Sequence, residues 1–243
     1  MWQQDIKKSE WINALIRGVL LGVVMTYLFY NKLIFLILVI PIAYIYVRQW
    51  QKDKSKAIET IFEKQFGTAI TLQTNLLSVG YSVENAIKEV IRELKVLYGP
   101  DNICLQEYVR VDHLLQMNVP VEQAMDEMAK RVNKDDVVSF ITVFAAAKRA
   151  GGDAISIMNE TVRQIGEKLE TKEEIETVIT SARLEFKIMC VIPFVILIYM
   201  RLAFPEFMNI LYGNILGEIF MSLCLLVYGC AYLIGRKITA IEV

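Results

Sequence analysis

The stretch "LLSVGYSVENAIKEV", Leu76 to Val90, places a glycine and a serine between two runs with helical spacing. It is echoed 38 residues later by "LLQMNVPVEQAMDEM", Leu114 to Met128. The two stretches share Leu76/Leu114, Leu77/Leu115, Glu84/Glu122, Ala86/Ala124 and Glu89/Glu127. Gly80 matches Asn118, and glycine and asparagine best tolerate a left-handed backbone. Each copy therefore predicts a helix end, a corner and a new helix, so that the repeated unit is a helical hairpin.

Apolar residues recur at helical spacing throughout the central segment, and no alternating run indicates a strand. The residues at several breaks between helices explain why the helix ends or begins there. Gly80 stops a helix, Ser82 caps the next, and Pro120 stands at a first helical position after Asn118. Gly99-Pro100 with Asp101 marks another break. The predicted helices span about 55–78, 82–97, 103–117, 120–132, 134–149 and 153 onward. We therefore expect these helices to stack as an antiparallel bundle.

A third corner is predicted at "AAAKRAGGDAISIMNE", where Gly151 and Gly152 precede Asp153. A phosphate-binding loop would need a strand followed by G-x-x-x-x-G-K-[ST] or G-x-G-x-x-G, and neither pattern is present. An acidic N-cap would also repel phosphate. We therefore interpret the glycine pair as a helix stop followed by a helix start.

The chain is 55% hydrophobic, and its mean hydropathy is +0.40, too high for an ordinary soluble domain of 243 residues. Two apolar runs near the amino terminus, 12–30 and 33–47, are separated only by Asn31-Lys32. Two more, 186–204 and 215–235, lie near the carboxyl terminus. Because a bilayer-crossing helix needs about 20 apolar residues, the sequence predicts four transmembrane helices in two hairpins.

The distribution of basic residues predicts which segments of the chain share the cytoplasmic side of the membrane. Lysines and arginines flank the first span and follow the second, precede the third and follow the fourth, whereas the two opposite turns offer only Lys32 and Arg201. Both termini and the central domain are predicted to be cytoplasmic. The expected organisation is a cytoplasmic amino terminus (1–11), a transmembrane hairpin (12–48), a helical domain (49–186), a second hairpin (187–236) and a cytoplasmic tail (237–243).

The last helix of the bundle is predicted to continue into the third span. From Asp153 to Phe204 only Gly166 and Pro193 interrupt helix formers, and about 50 residues would extend roughly 75 Å. An apolar seam through Ile155, Met158, Val162, Ile165 and Leu169 is followed by a second through Ile175, Ile179, Ala182 and Phe186. These seams pack either on the chain's own bundle or on a partner subunit.

The sequence does not indicate a catalytic constellation, a metal site or a cofactor site. His113 is the single histidine, and the four cysteines form no CxxC pair. Charges in the central domain nearly balance, which argues against a nucleic-acid surface. Arg201 and Glu218 are exceptional because they lie near the ends of the third and fourth spans. At similar depth in an antiparallel hairpin they are predicted either to form a pair or to extend separately to water.

The order of two spans, a helical domain and two spans resembles the type II secretion system F-domain proteins, particularly the tight-adherence pilus branch. The local matches are "LLSVGYSVENAI", "NVPVEQAMDEMAKRV", "AAAKRAGGDAISIMNETVRQI" and "RLEFKIMCVIPFVILIYM". One departure is Asp153-Ala154, where relatives often have a neutral residue and then leucine. The resemblance covers roughly residues 55–240.

The resemblance implies a non-enzymatic inner-membrane platform protein of a type IV-like pilus or secretion machine. Such a protein docks a cytoplasmic secretion ATPase and couples its motion to pilin or pseudopilin subunits drawn from the membrane. It would act as a homo-oligomer or together with a paralogous platform protein, in contact with lipid and without nucleic acid. A membrane transporter subunit or a membrane sensory scaffold is the alternative.

Overall fold

The computed structural model describes residues 8–30, 37, 39–150 and 154–239, and every regular element in these ranges is helical. The α-helices are α1 (Lys8–Tyr30), α2 (Val39–Ser78), α3 (Val83–Tyr98), α4 (Ile103–Gln116), α5 (Val121–Val132), α6 (Asp135–Ala150), α7 (Ala154–Ala203), α8 (Pro205–Gly213) and α9 (Ile215–Thr239). The all-α class predicted from the sequence is thus confirmed.

The described residues form two compact units, of which unit 1 comprises Ser55–Lys172. It contains the second half of α2, then α3 to α6, and the first half of α7. Successive helices pack on one another from α3 to α6. Its buried core is rich in aromatic and large aliphatic side chains, chiefly Phe62, Phe66, Tyr108, Met125, Met128, Phe140 and Phe144. These helices therefore share one apolar core.

The first seam of α7 packs into this core. Met158 and Ile165 are buried, and Val162 and Leu169 are partly buried against the same cluster. The side chain of Ile155 lies outside the described residues. These four residues therefore pack on the chain's own helices, which is the first of the two alternatives predicted for this seam.

The helix α7 is 50 residues long and runs without a break through Gly166 and Pro193. This confirms the predicted continuity from the bundle into the third apolar run. The sequence did not predict the length of α2, which has 40 residues. It suggested an apolar helix over 33–47 and a separate helix from about 55, but residues 39–78 form one helix. The intervening residues contain no glycine or proline, so nothing ends the helix there.

Unit 2 comprises residues 6–54 and 173–243 and contains α1, the first half of α2, the second half of α7, α8 and α9. Small residues let α1 and α2 approach closely. A Cβ atom on Gly22 would lie 2.9 Å from Val39 Cγ1, and one on Gly18 would lie 3.0 Å from Tyr46 Cδ1. Gly18 and Gly22 form a G-x-x-x-G pattern, which favours close packing of helices in membranes.

One end of unit 2, the ion-paired end, is held by charged residues. Glu10 of α1 lies 3.4 Å from Lys54 of α2, and Arg236 of α9 donates to Asp53 at 3.0 Å. Arg183 of α7 donates to the backbone carbonyl of Thr239. These contacts bring the four long helices together with α1 and α7 antiparallel to α2 and α9.

The opposite end of unit 2, the aromatic end, contains buried aromatic and apolar residues. Tyr30 donates to Ser222 Oγ at 2.8 Å, and the Phe29 and Phe194 rings meet edge to face with centroids 6.3 Å apart. The short proline-containing link between α7 and α9 is the helix α8. Met208 and Tyr212 of α8 are buried in this cluster.

Among the described residues, three helices are long and apolar enough to cross a membrane: Ser9–Tyr30, Ser156–Ala203 and Ile215–Thr239. They correspond to the first, third and fourth predicted spans. The predicted second span, 33–47, lies partly outside the described residues. Three candidate spans identify the chain as a membrane protein by length and composition.

Candidate functional site

The first predicted corner has the hydrogen bonds of a Schellman motif, a helix ending closed by two backbone bonds. Gly80 donates to the carbonyl of Leu77 at 3.0 Å, and Tyr81 donates to that of Leu76 at 3.0 Å. Gly80 has a φ of +99°, and nothing lies within 4 Å of the position a Cβ would take. The need for glycine here is therefore set by backbone conformation, not by crowding.

The second corner repeats this motif 38 residues later. Asn118, with a φ of +61°, donates to the carbonyl of Leu115 at 3.0 Å, and Val119 donates to that of Leu114 at 3.0 Å. The carbonyls of both corners come from the leucine pairs that are identical in the two stretches. The sequence echo thus marks a repeated backbone structure.

Both corners lie at one end of unit 1, which we call the corner end. Asn102 closes the tight α3–α4 hairpin by donating to the carbonyls of Leu94 and Gly99. Because this hairpin folds back, α4 finishes at the end of the bundle where α3 begins. Val79 and Met117, beside the two turns, are 80% and 67% exposed. The corner end therefore presents apolar side chains to its surroundings.

The structure confirms Ser82 as an N-cap and shifts Pro120 by one position. Ser82 is the N-cap of α3 and accepts from the Asn85 backbone N–H at 3.3 Å. Pro120 is the N-cap of α5, with Val121 as the first helical residue, so its predicted place is wrong by one residue. Pro120 nevertheless contributes a carbonyl that accepts from Ala124 at 3.0 Å.

Two capping residues were missed by sequence reasoning. Asn102, not the neighbouring Asp101, caps α4 by accepting from Leu105 N–H at 2.6 Å. Asn133 ends α5 in a left-handed conformation with a φ of +52°. Asparagine at a helix boundary is a recognised signal for both roles. The third corner, Gly151, Gly152 and Asp153, lies outside the described residues and stays a prediction.

A buried carboxylate joins α4 to α5 inside unit 1. The Glu107 side chain is fully buried, with Arg110 Nη1 at 2.5 Å and Arg131 Nε at 2.9 Å. A buried charge is costly unless paired, and breaking such a pair leaves an uncompensated charge. Since Arg131 lies on α5, this pair opposes any slippage of α5 along α4.

Cys104 lies one turn before Glu107 and is fully buried. Burial, reinforced by the Glu107 charge, raises the pKa of the Cys104 thiol well above its ordinary value. The neighbouring Tyr108 is also buried, donates to Gln73 Oε1 of α2 at 3.0 Å, and has its pKa raised by burial. These groups are suited to holding helices together and poorly suited to nucleophilic or proton-transfer chemistry.

Charged residues also tie α7 to α2 and α6 within unit 1. Lys172 of α7 lies 2.6 Å from Glu63 of α2, and Lys168 lies 2.7 Å from Asp136 of α6. Lys134 bridges the same region by contacting Glu59 and Glu63. The hydrogen bond to Asp136 raises the pKa of Lys168. Because oppositely charged residues of α2, α6 and α7 contact one another, we interpret these charges as structural.

The predicted Arg201–Glu218 pair lies in unit 2. Arg201 donates to the Tyr27 backbone carbonyl at 3.1 Å, and its guanidinium carbon is 4.2 Å from the Tyr27 ring centroid. The backbone N–H of Glu218 donates to Asn214 at 3.0 Å, and its carbonyl accepts from Ser222. Thus Arg201 is held against α1 by a cation–π contact, and its contact with Glu218 stays a prediction.

Within the described ranges, no group of three histidine, cysteine, aspartate or glutamate side chains could hold a metal ion. No family model matches the chain, and no curated protein and no solved structure is significantly similar to it. The functional argument therefore depends on the residues themselves.

Exchange of Gly80 for alanine should destabilise the first corner by about 1 kcal/mol, because L-residues are strained at positive φ. Gly166 provides a matched control. It also has open space around its Cβ position but lies inside α7, so Gly166→Ala should stabilise its helix by about 0.5 kcal/mol. Amide hydrogen exchange of α3 and α7 in the full-length protein measures both. Changes of the same sign would contradict the assigned role of φ.

Exchange of Arg131 for alanine should speed alkylation of the buried Cys104 by roughly 30-fold, which corresponds to about 2 kcal/mol of local stability. The buried Glu107 would then keep only Arg110. The matched control is Arg92→Ala, which removes an exposed partner of Glu89 and should change the rate less than about threefold. Mass spectrometry of the Cys104 peptide gives the rates. Equal rates in the two variants would exclude a stabilising role for the buried pair.

Proposed function

We propose that this chain is a non-enzymatic inner-membrane platform protein of a tight-adherence pilus or type II secretion assembly machine. In this role it couples a cytoplasmic secretion ATPase to the extraction and assembly of pilin or pseudopilin subunits. The observation that carries the proposal is the repeated Schellman corner at Gly80 and Asn118 inside a helical unit, with apolar helices before and after it in the chain. This arrangement agrees with the resemblance to F-domain proteins of that branch.

The proposal includes four transmembrane helices, with 33–47 as the second. The close packing of Val39 and Tyr46 on Gly22 and Gly18 supports it, since it matches the first half of α2 to a candidate span. The proposed cytoplasmic face is the ion-paired end. Arg183 and Arg201 stand eighteen residues apart on α7, roughly 27 Å, close to the roughly 30 Å thickness of the hydrocarbon.

A mechanical role suits the long helices. Residues of α2 and of α7 belong to both compact units, and each helix is continuous across the change. A helix without a break transmits displacement along its axis better than a flexible linker does. We propose that unit 1 receives the motion of the ATPase and that α2 and α7 convey it to the membrane helices. The platform would work as a homo-oligomer or with a paralogous partner.

The proposed topology can be tested by single cysteines in a cysteine-free background, labelled from outside with a membrane-impermeant maleimide. With four spans, Lys32→Cys and Asn214→Cys should react from outside, whereas Ser55→Cys should react only after permeabilisation. Labelling of Ser55→Cys from outside would mean that 33–47 does not cross the membrane. Thr239→Cys lies two candidate spans beyond Ser55 and should react from the same side as Ser55→Cys. An endogenous cytoplasmic protein, which should stay unlabelled before permeabilisation, controls for leakage of the reagent.

The platform role predicts that the detergent-solubilised full-length chain captures the secretion ATPase encoded beside it, and that its deletion abolishes surface filaments. The exposed apolar corner end is the proposed docking surface, so a Val79→Ser, Met117→Ser double variant should capture less ATPase. Val96→Ser is the matched control, because Val96 is equally exposed at the far end of α3. Absence of capture by the unmodified chain, with filaments intact after deletion, would refute the platform role.

A further inference from the structure

The nine-residue helix α8 divides its surface into three strips. Met208 and Tyr212 are buried, with Leu211 partly buried beside them. Phe207 and Ile210, one turn apart, form an apolar strip that is 56% and 71% exposed. Glu206 and Asn209 form an exposed polar strip. At 100° per residue the apolar strip lies between the buried strip and the polar strip. Such a division is typical of a helix lying at a boundary between water and an apolar phase.

The position of α8 within unit 2 is set by specific contacts. Tyr212 donates its hydroxyl proton to the Leu28 carbonyl of α1. A Cβ atom on Gly217, in the first turn of α9, would collide with the Leu211 carbonyl oxygen, so α8 and α9 meet backbone to backbone. Phe204 separates α7 from α8 by a single residue. The outward strips are therefore held in a defined orientation.

The candidate spans on either side of α8 in the chain also expose apolar residues where they adjoin it. Leu202 of α7 and Leu216 of α9 are exposed next to the two ends of α8 in the chain. The residues that fix α8 include Tyr212, whose ring lies 5.9 Å from the Arg201 guanidinium carbon. Tyrosine rings and arginines that reach water are enriched at the depth of lipid headgroups. Both observations place α8 at the boundary of the bilayer.

We propose that α8 is an interfacial helix, with Phe207 and Ile210 inserted among lipid acyl chains just below the headgroups and Glu206 and Asn209 facing water. The occupant of the apolar strip is phospholipid, because the candidate spans before and after α8 expose apolar residues next to it in the chain and a polar strip borders the apolar one. This inference requires α7 and α9 to cross the membrane but does not depend on the pilus assignment. The helix would fix the depth of the second hairpin.

The experiment uses the full-length protein in phosphatidylcholine vesicles with its native tryptophans replaced by phenylalanine (Trp2→Phe, Trp11→Phe, Trp50→Phe). Single tryptophans are then introduced as Ile210→Trp in the apolar strip and Asn209→Trp in the polar strip, a matched pair of neighbours. The quenchers are phosphatidylcholines brominated near the headgroup or near the bilayer centre, and water-soluble acrylamide. Leu223→Trp, exposed in the interior of α9, reports whether that helix crosses.

The expected result is that shallow bromines quench Ile210→Trp about twofold more than Asn209→Trp, and more than deep bromines do. Acrylamide should show the reverse preference between the two positions. Strong acrylamide quenching of both would overturn the proposal, because the strip would then face water. Protection of Ile210→Trp from both bromines and acrylamide would also overturn the proposal, because a second copy of the chain would then cover the strip. If deep bromines fail to quench Leu223→Trp, α9 does not cross the membrane and the interfacial position of α8 is refuted. ATPase capture by the full-length chain tests the platform role independently of this result.

Discussion

The two backbone hydrogen bonds that close each Schellman corner determine the course of unit 1. At Gly80 and Asn118 the chain takes a positive φ, and the carbonyls of a leucine pair accept the two N–H groups that follow. Helix direction after each corner, and hence which side chains meet in the core, follows from these turns. A strained residue at Gly80 would disturb the packing of α3 and all helices that depend on it.

A second constraint acts inside the bundle, where burial makes polar groups expensive unless they are paired. Glu107 satisfies this condition through Arg110 and Arg131, and Tyr108 through Gln73. Apolar packing tolerates small shifts of one helix along another, whereas a buried carboxylate between two arginines does not. The register of α4 and α5 therefore depends on this electrostatic contact more than on the surrounding aliphatic surface.

Different rules apply to unit 2, which contains helices long and apolar enough to cross a membrane. In a bilayer exposed apolar surface needs no burial, so association of such helices depends on close approach and on polar contacts. Gly18 and Gly22 supply the approach, and Asp53 with Arg236 supplies a contact at the ion-paired end. The continuous helices α2 and α7 each contribute residues to both units. That combination underlies the mechanical role proposed for the chain.

The sequence by itself determined the all-helical class, most helix boundaries and the corners at Gly80 and Asn118, because these depend on local spacing and backbone conformation. It also identified all three candidate spans of the described residues, since apolar length is a property of composition. Only the tertiary structure decided that Glu107 is buried, that Arg201 stacks on Tyr27, and that the proline-containing link is the helix α8. These features arise from residues far apart in the chain, and no local pattern specifies which of them will meet.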